Sequence, residues 1–141
     1  MQTRYVEDLD KEAIMGINKK RVLIVDDDVQ SSEIFAGLLR SMGFETFFAY
    51  NAEDAFYTLE ADPRFDLIVT DVVMPFMDCF EFTRRLKDDP FTRNIPVIGT
   101  SAYYDWNKKG EDRELAVDGF VAKPVERETL VREVARVVLG K

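Results

Sequence analysis

Residues 67–78 read LIVTDVVMPFMD, an apolar run that stops on a bare aspartate, Asp71, and turns at once through Met74-Pro75. A short run of this kind, rich in β-branched residues, reads as a strand buried on both faces. A carboxylate fits poorly inside such a strand, because an unpaired buried charge is costly. Ending the run on Asp71 puts the carboxylate at the carboxyl end of the strand, where open α/β sheets hold their ligands. What reaches that edge from the rest of the chain decides what the carboxylate does.

Outward from this strand, apolar runs alternate with amphipathic stretches. RVLIVD (21–26), ETFFAY (45–50), FDLIVT (65–70), PVIGTS (96–101) and GFVA (119–122) read as five strands. SSEIFAGLLRSMGF (31–44) places Ile34, Phe35, Leu38, Leu39 and Met42 on one helical face, with Gly43 as its stop. Asn51 caps a second helix whose inner face is Ala52, Ala55, Phe56 and Leu59. FEFTRRLKDD (80–89) is a third helix, closed by Pro90. RETLVREVARVVLG (127–140) closes the chain with Leu130, Val131, Val134, Val137 and Val138 inward. The segment YYDWNKKGEDRELAVD (103–118) is more polar and predicts a long loop with a short helix over about 111–117. The pattern is (βα)5: a doubly wound, five-stranded parallel sheet with helices on both faces, of the flavodoxin-like α/β class.

Residues 1–19 precede the first strand as an N-terminal extension, either a polar arm or a short helix with Tyr5, Val6, Leu9, Ala13 and Ile14 along one side. Residues 20–141 form the domain. A chain of 141 residues suits one core that buries about two-thirds of its unfolded surface. A net charge of −8 argues against nucleic acid or anionic membrane as a partner. No apolar run approaches the ~18 residues of a membrane span, and the N-terminus lacks a signal-peptide pattern. The single cysteine, Cys79, rules out an internal disulfide and fits a reducing, cytoplasmic setting. The absence of histidine removes Ser-His and Cys-His catalysis, His-ligated zinc and any phosphohistidine role.

In a parallel sheet all strand carboxyl ends point to one edge. Asp26 and Asp27 end the first strand, Asp71 follows the third, Ser101 ends the fourth and Lys123 follows the fifth. Three carboxylates brought together need a cation or must give up ionisation. Oxygen ligands without histidine or cysteine suit a hard ion such as Mg2+, for which Mn2+ can substitute. Lys123 adds a second positive charge and Ser101 a hydroxyl donor. A carboxylate nucleophile, a divalent ion, a lysine and a hydroxyl meet the needs of phosphoryl transfer.

LIVDDD (23–28), VTDVVMPFMD (69–78), PVIGTSA (96–102) and VAKP (121–124) resemble the receiver domains of two-component response regulators, of the stand-alone CheY-like type. Intervals of 44 residues from Asp27 to Asp71, 30 to Ser101 and 22 to Lys123 suit that family, and the likeness covers about residues 20 to 140. The resemblance implies a phosphoacceptor at Asp71. It implies Mg2+ bound by Asp27 directly, by Asp26 mainly through water, by Asp71 and by the Val73 carbonyl. Ser101 and Lys123 would hold phosphoryl oxygens, Phe120 would change rotamer with Ser101, and the Lys123–Pro124 bond would be cis. Val73 and Tyr103 would flank the approach of the hydrolytic water, and neither carries a group suited to orienting it, which implies a long-lived phosphoryl adduct. The implied partners are a histidine kinase or histidine phosphotransfer protein and a downstream protein, with the chain a monomer or weak dimer.

Two features depart from the family pattern. Cys79 stands where the pattern has glycine, so the loop differs if that site needs positive φ. The link before the last strand is shortened to VDG (117–119), which alters the surface around the fourth helix and fifth strand. Two rival functions are weaker. An aspartate-nucleophile phosphatase of the haloacid-dehalogenase type wants a second aspartate two positions after the nucleophile, where Val73 stands. A receiver-like module that binds partners without phosphorylation would be expected to have lost an acidic, hydroxyl or lysine position, and none is lost. The chain reads as a signalling domain rather than an enzyme, either standing alone or excised from a longer protein.

Overall fold

The computed structural model describes residues 19–74, 78–102 and 115–140. Five parallel strands form one sheet: β1 (Arg21–Val25), β2 (Glu45–Ala49), β3 (Leu67–Asp71), β4 (Val97–Ser101) and β5 (Gly119–Ala122). Their order is β2-β1-β3-β4-β5, the flavodoxin-like arrangement. Four helices flank it among the described residues: α1 (Val29–Ser41), α2 (Ala52–Ala61), α3 (Cys79–Asp88) and α4 (Arg127–Leu139).

Residue alternation sends successive side chains of each strand to opposite faces. Val22, Ile24, Val69, Ile98 and Val121 meet Phe35 and Leu39 of α1 and Leu130 and Val134 of α4. Leu23, Val25, Ile68 and Val97 meet Ala55 and Leu59 of α2 and Phe82 and Leu86 of α3 on the other face. The expected doubly wound sheet is present, and both faces of its central strands are covered.

Three helices begin on side-chain caps, each worth about 1 kcal/mol. Asp28 accepts from the N–H groups of Gln30 and Ser31, Asn51 from that of Asp54, and Asp78 from that of Glu81. The Asp28 cap starts α1 at Val29, two residues before the sequence reading. Gly43 follows α1 with φ 95°, a conformation that glycine adopts without strain. β3 begins at Leu67, not Phe65, and includes Asp71 as its last residue.

Two positions predicted to face the core do not. The buried stripe of α1 is Ser32, Phe35, Ala36 and Leu39, so Ile34 lies to one side and is 54% exposed. Val131 of α4 is likewise 36% exposed, because Leu130 and Val134 already fill the contact with the sheet. The helix expected over about 111–117 lies outside the described residues as far as Glu114, and Leu115–Val117 are not helical. The N-terminal extension also lies outside them, apart from Lys19.

β5 is an edge strand, and polar side chains fasten it. Asp118 accepts from the Val97 N–H at 2.8 Å and from the Lys87 ammonium at 2.7 Å. Glu133 of α4 accepts from the Phe120 N–H at 3.0 Å, and Arg136 donates to the Asp118 carbonyl at 2.7 Å. In the neighbouring strand, Gly99 leaves room for close packing: a Cβ there would lie 3.0 Å from Val72 Cγ1 and 3.4 Å from the Phe120 ring.

Candidate functional site

The strand order reverses direction between β1 and β3, and a crevice opens outside the carboxyl ends of strands at such a switch point. β1 delivers Asp26 and Asp27 there, and β3 delivers Asp71. One carboxylate oxygen from each of the three lies within 4.8 Å of the others. Asp26 and Asp71 are buried, at 2% and 8% exposure, and Asp27 is exposed.

Lys123, which follows β5, reaches back over β4 to this cluster. Its Nζ donates to Asp26 Oδ2 and to Asp71 Oδ2, both at 2.7 Å. The peptide bond to Pro124 is cis. The remaining oxygens of both aspartates accept backbone donors: Asp26 Oδ1 from the Asp28 N–H at 2.9 Å, Asp71 Oδ1 from the Val73 N–H at 2.8 Å. These two amides escaped the sequence reading, because any residue type supplies an N–H and only the turn geometry aims it.

Burial raises the Asp71 pKa above the ordinary carboxylate value, and the Asp26 charge adds to this. Hydrogen bonds from Lys123 and Val73 and the Lys123 charge pull the other way without cancelling it. Burial acts to lower the Lys123 pKa, but its hydrogen bonds to Asp26 and Asp71 outweigh this and leave it raised. The lysine therefore stays charged at neutral pH, while three carboxylates share that single cation. The cluster fits a hard divalent ion: its donors are all carboxylate oxygens, and it carries an uncompensated negative charge.

Ser101 ends β4 beside β3 and is fully buried, and its carbonyl accepts the Lys123 N–H at 2.9 Å. Phe120 sits in β5 opposite Gly99, half-buried. The Val73 side chain is exposed close to the cluster. Tyr103 lies outside the described residues. The sequence thus names the groups that meet here from β1, β3 and the end of β5, with Ser101 and Phe120 in the strands alongside.

Cys79 opens α3 as its first residue, so it takes helical backbone and the feared positive φ does not arise. Its thiol donates to the Asp71 carbonyl at 3.6 Å, joined by the Thr70 hydroxyl at 3.0 Å. Burial pushes the Cys79 thiol up to about 12, so it stays protonated and unreactive near neutral pH. It is a packed residue under the cluster.

Fold and site together define a flavodoxin-like α/β protein with an acidic pocket and a fixed lysine at its switch point. The chain belongs to the response regulator receiver domain family, whose description matches residues 22–135. It is similar to the polar-differentiation response regulator DivK of Brucella anthropi, at 32% identity over 106 residues, covering 75% of this chain and 85% of DivK. A crystal structure of a response regulator from Chloroflexus aurantiacus superposes with a TM-score of 0.77 at 28% identity, covering 86% of this chain and 98% of that one. The receiver domain of the Pseudomonas aeruginosa sensor histidine kinase PA1611 has a TM-score of 0.72 at 26% identity, covering 87% and 99%, and holds a magnesium ion in its active site cleft. Of two longer curated relatives, the chain spans 16% and 52% of their length. Receiver domains are signalling domains of two-component systems. Among the described residues, no helix is long and apolar enough to cross a membrane.

The raised Asp71 pKa has a consequence for stability. A carboxyl whose folded pKa exceeds its unfolded value of about 3.9 stabilises the fold below that value. The contribution is lost as pH rises through the folded pKa. In buffer free of divalent ions, Asp71→Asn should therefore have a higher urea midpoint than wild type at pH 7, with the gap closing below about pH 4. An equal or lower midpoint for the variant at pH 7 would mean that pairing with Lys123 outweighs burial.

Proposed function

We propose that the chain is a phosphoacceptor switch, with Asp71 receiving a phosphoryl group from a histidine kinase or histidine phosphotransfer protein. The observation that carries this reading is the Lys123 ammonium, 2.7 Å from both Asp26 and Asp71, beside a third carboxylate. An Asp71 oxygen forms the new O–P bond as the N–P bond of the donor breaks, and the departing imidazole nitrogen keeps the electron pair. The Val73 N–H and Lys123 fix the orientation of the Asp71 carboxylate before reaction, so little reorganisation is needed.

Asp26, Asp27, Asp71 and the Val73 carbonyl would hold Mg2+, or Mn2+ in its place. When bound, the ion neutralises charge on the phosphoryl oxygens. Lys123 then balances the remaining negative charge, and the Ser101 hydroxyl donates to a phosphoryl oxygen. With a small acyl-phosphate donor and Mg2+, wild type should gain the mass of one phosphoryl group and Asp71→Asn none. Asp27→Ala should bind divalent ions more weakly, since it loses a carboxylate oxygen of the cluster. An undiminished mass gain in Asp71→Asn overturns the assignment.

The switch follows from the same contacts. Movement of Ser101 toward the phosphoryl group frees space into which Phe120 turns, and the driving free energy comes from the new hydrogen bonds. Ser101→Ala should still accept the phosphoryl group but lose most of the phosphorylation-dependent gain in partner affinity. Wild-type affinity in the phosphorylated variant would exclude this coupling.

Lifetime is set by what meets the incoming water. The exposed Val73 side chain has no polar group, and Tyr103 is the second position implied by the family pattern. A well-placed orienting group contributes roughly ten- to ten-thousand-fold in rate, so its absence leaves phospho-Asp71 long-lived. Val73→Asn combined with Tyr103→Glu should shorten the phosphoryl half-life. An unchanged half-life would show that these positions do not govern the water.

A further inference from the structure

Among the described residues, the most exposed large apolar or aromatic side chains are Tyr57, at 78%, and Phe91, at 76%. They come from distant segments, Tyr57 from α2 and Phe91 from the turn after α3, yet both belong to one groove. Its volume is about 380 Å³, with Phe56, Leu59 and Pro63 on the α2 side and Phe91 and Thr92 on the α3 side. Tyr57 stands one helical turn before Glu60 at the rim.

Phe91 is not exposed through looseness. The Thr92 hydroxyl donates to the Leu86 carbonyl at 2.6 Å, and the Asp89 carboxylate accepts from the Phe91 N–H at 2.8 Å. The N–H groups of Thr92 and Arg93 both donate to the Asp89 carbonyl, at 3.1 and 2.8 Å. The groove floor is equally fixed: Phe56 packs edge-on against Phe82 with ring centroids 5.2 Å apart, and the Arg85 guanidinium lies 4.2 Å from the centre of its ring. Aromatic side chains carry much of the binding energy at protein interfaces, and one already held in place loses little freedom on association.

Glu60 and Asp89 are the only charged residues lining the groove among those described, and both are acidic. Neither forms an ion pair among the described residues. We propose that this groove docks a protein partner through a segment carrying an aliphatic or aromatic side chain next to Arg or Lys. The apolar group enters between Phe56 and Phe91, and the cation meets Glu60 and Asp89. A second copy is the less suitable occupant: a two-fold contact would set Glu60 and Asp89 of one copy against the same acids of the other, in a chain of net charge −8. The groove lies where α2 and α3 end, away from the strand carboxyl ends that carry Asp71, so its occupant leaves the acidic cluster open. The inference is independent of the phosphoryl chemistry.

A displayed library of short random peptides, selected on the wild-type chain, supplies the probe. Recovered peptides should carry Arg or Lys beside an aromatic or aliphatic residue. Tyr57→Ala combined with Phe91→Ala should bind them about fivefold or more weakly than wild type, as should Glu60→Lys alone. Asp71→Asn should bind them as wild type does. The substituted side chains are solvent-exposed, so each groove variant should keep the wild-type urea midpoint. Bound peptide should shift the amide resonances of residues 56–62 and 91–93 and leave those of β1 and β3 unmoved. Peptides that bind the groove variants as tightly as wild type, or a selection that yields none, would overturn the proposal. So would a wild-type dimer in sedimentation that Phe91→Ala abolishes, since the occupant would then be a second copy.

Discussion

The Lys123 ammonium, held between Asp26 and Asp71 at 2.7 Å from each, is the contact on which the site depends. It joins residues 97 and 52 positions apart, and thereby the ends of β1, β3 and β5. Without it, two buried carboxylates would face each other and a third with no fixed cation. A buried ion pair of this kind adds little net stability, because desolvation offsets most of the attraction. Its value is geometric: it fixes two carboxylates in one orientation and leaves the pocket with unbalanced negative charge. Perturbed ionisable groups gathered in a cleft are a feature that active sites share, and this cluster has it.

The remainder of the fold keeps that geometry in register. The central strands are apolar on both faces, so slippage by one residue would exchange the two cores. Asp71 can end a buried strand because its side chain meets Lys123 and Val73, and its carbonyl meets Thr70 and Cys79. At the sheet edge, Asp118, Glu133 and Arg136 occupy polar backbone groups around β5. The strand that carries Phe120 and leads into Lys123 is thus anchored from α4 as well as from β4.

Cys79 shows how a departure from a family pattern is absorbed. The Asp78 cap starts α3 immediately, which gives Cys79 helical backbone and turns its thiol inward toward the Asp71 carbonyl. A small apolar side chain there fills space beneath the acidic cluster. Its high pKa follows from that same burial and keeps the thiol out of the chemistry.

The strands, the Asn51 cap and the acidic, hydroxyl and lysine positions were legible in the chain because each has a local cause. Apolar runs ending in acid mark strands, Asn51 and Gly43 punctuate helices, and the parallel topology forces strand ends to one edge. The side facing the core was less legible: Ile34 and Val131 fit the helical period as well as their neighbours do. Only the rotation of each helix against the sheet decides which apolar residues are covered. The amides of Asp28 and Val73 carry no residue signature, and their role exists only through the turns that aim them. The balance of charge at Asp71 was likewise a tertiary matter. Sequence brings the charged residues to one mouth, but burial, lysine distance and backbone donors set their ionisation.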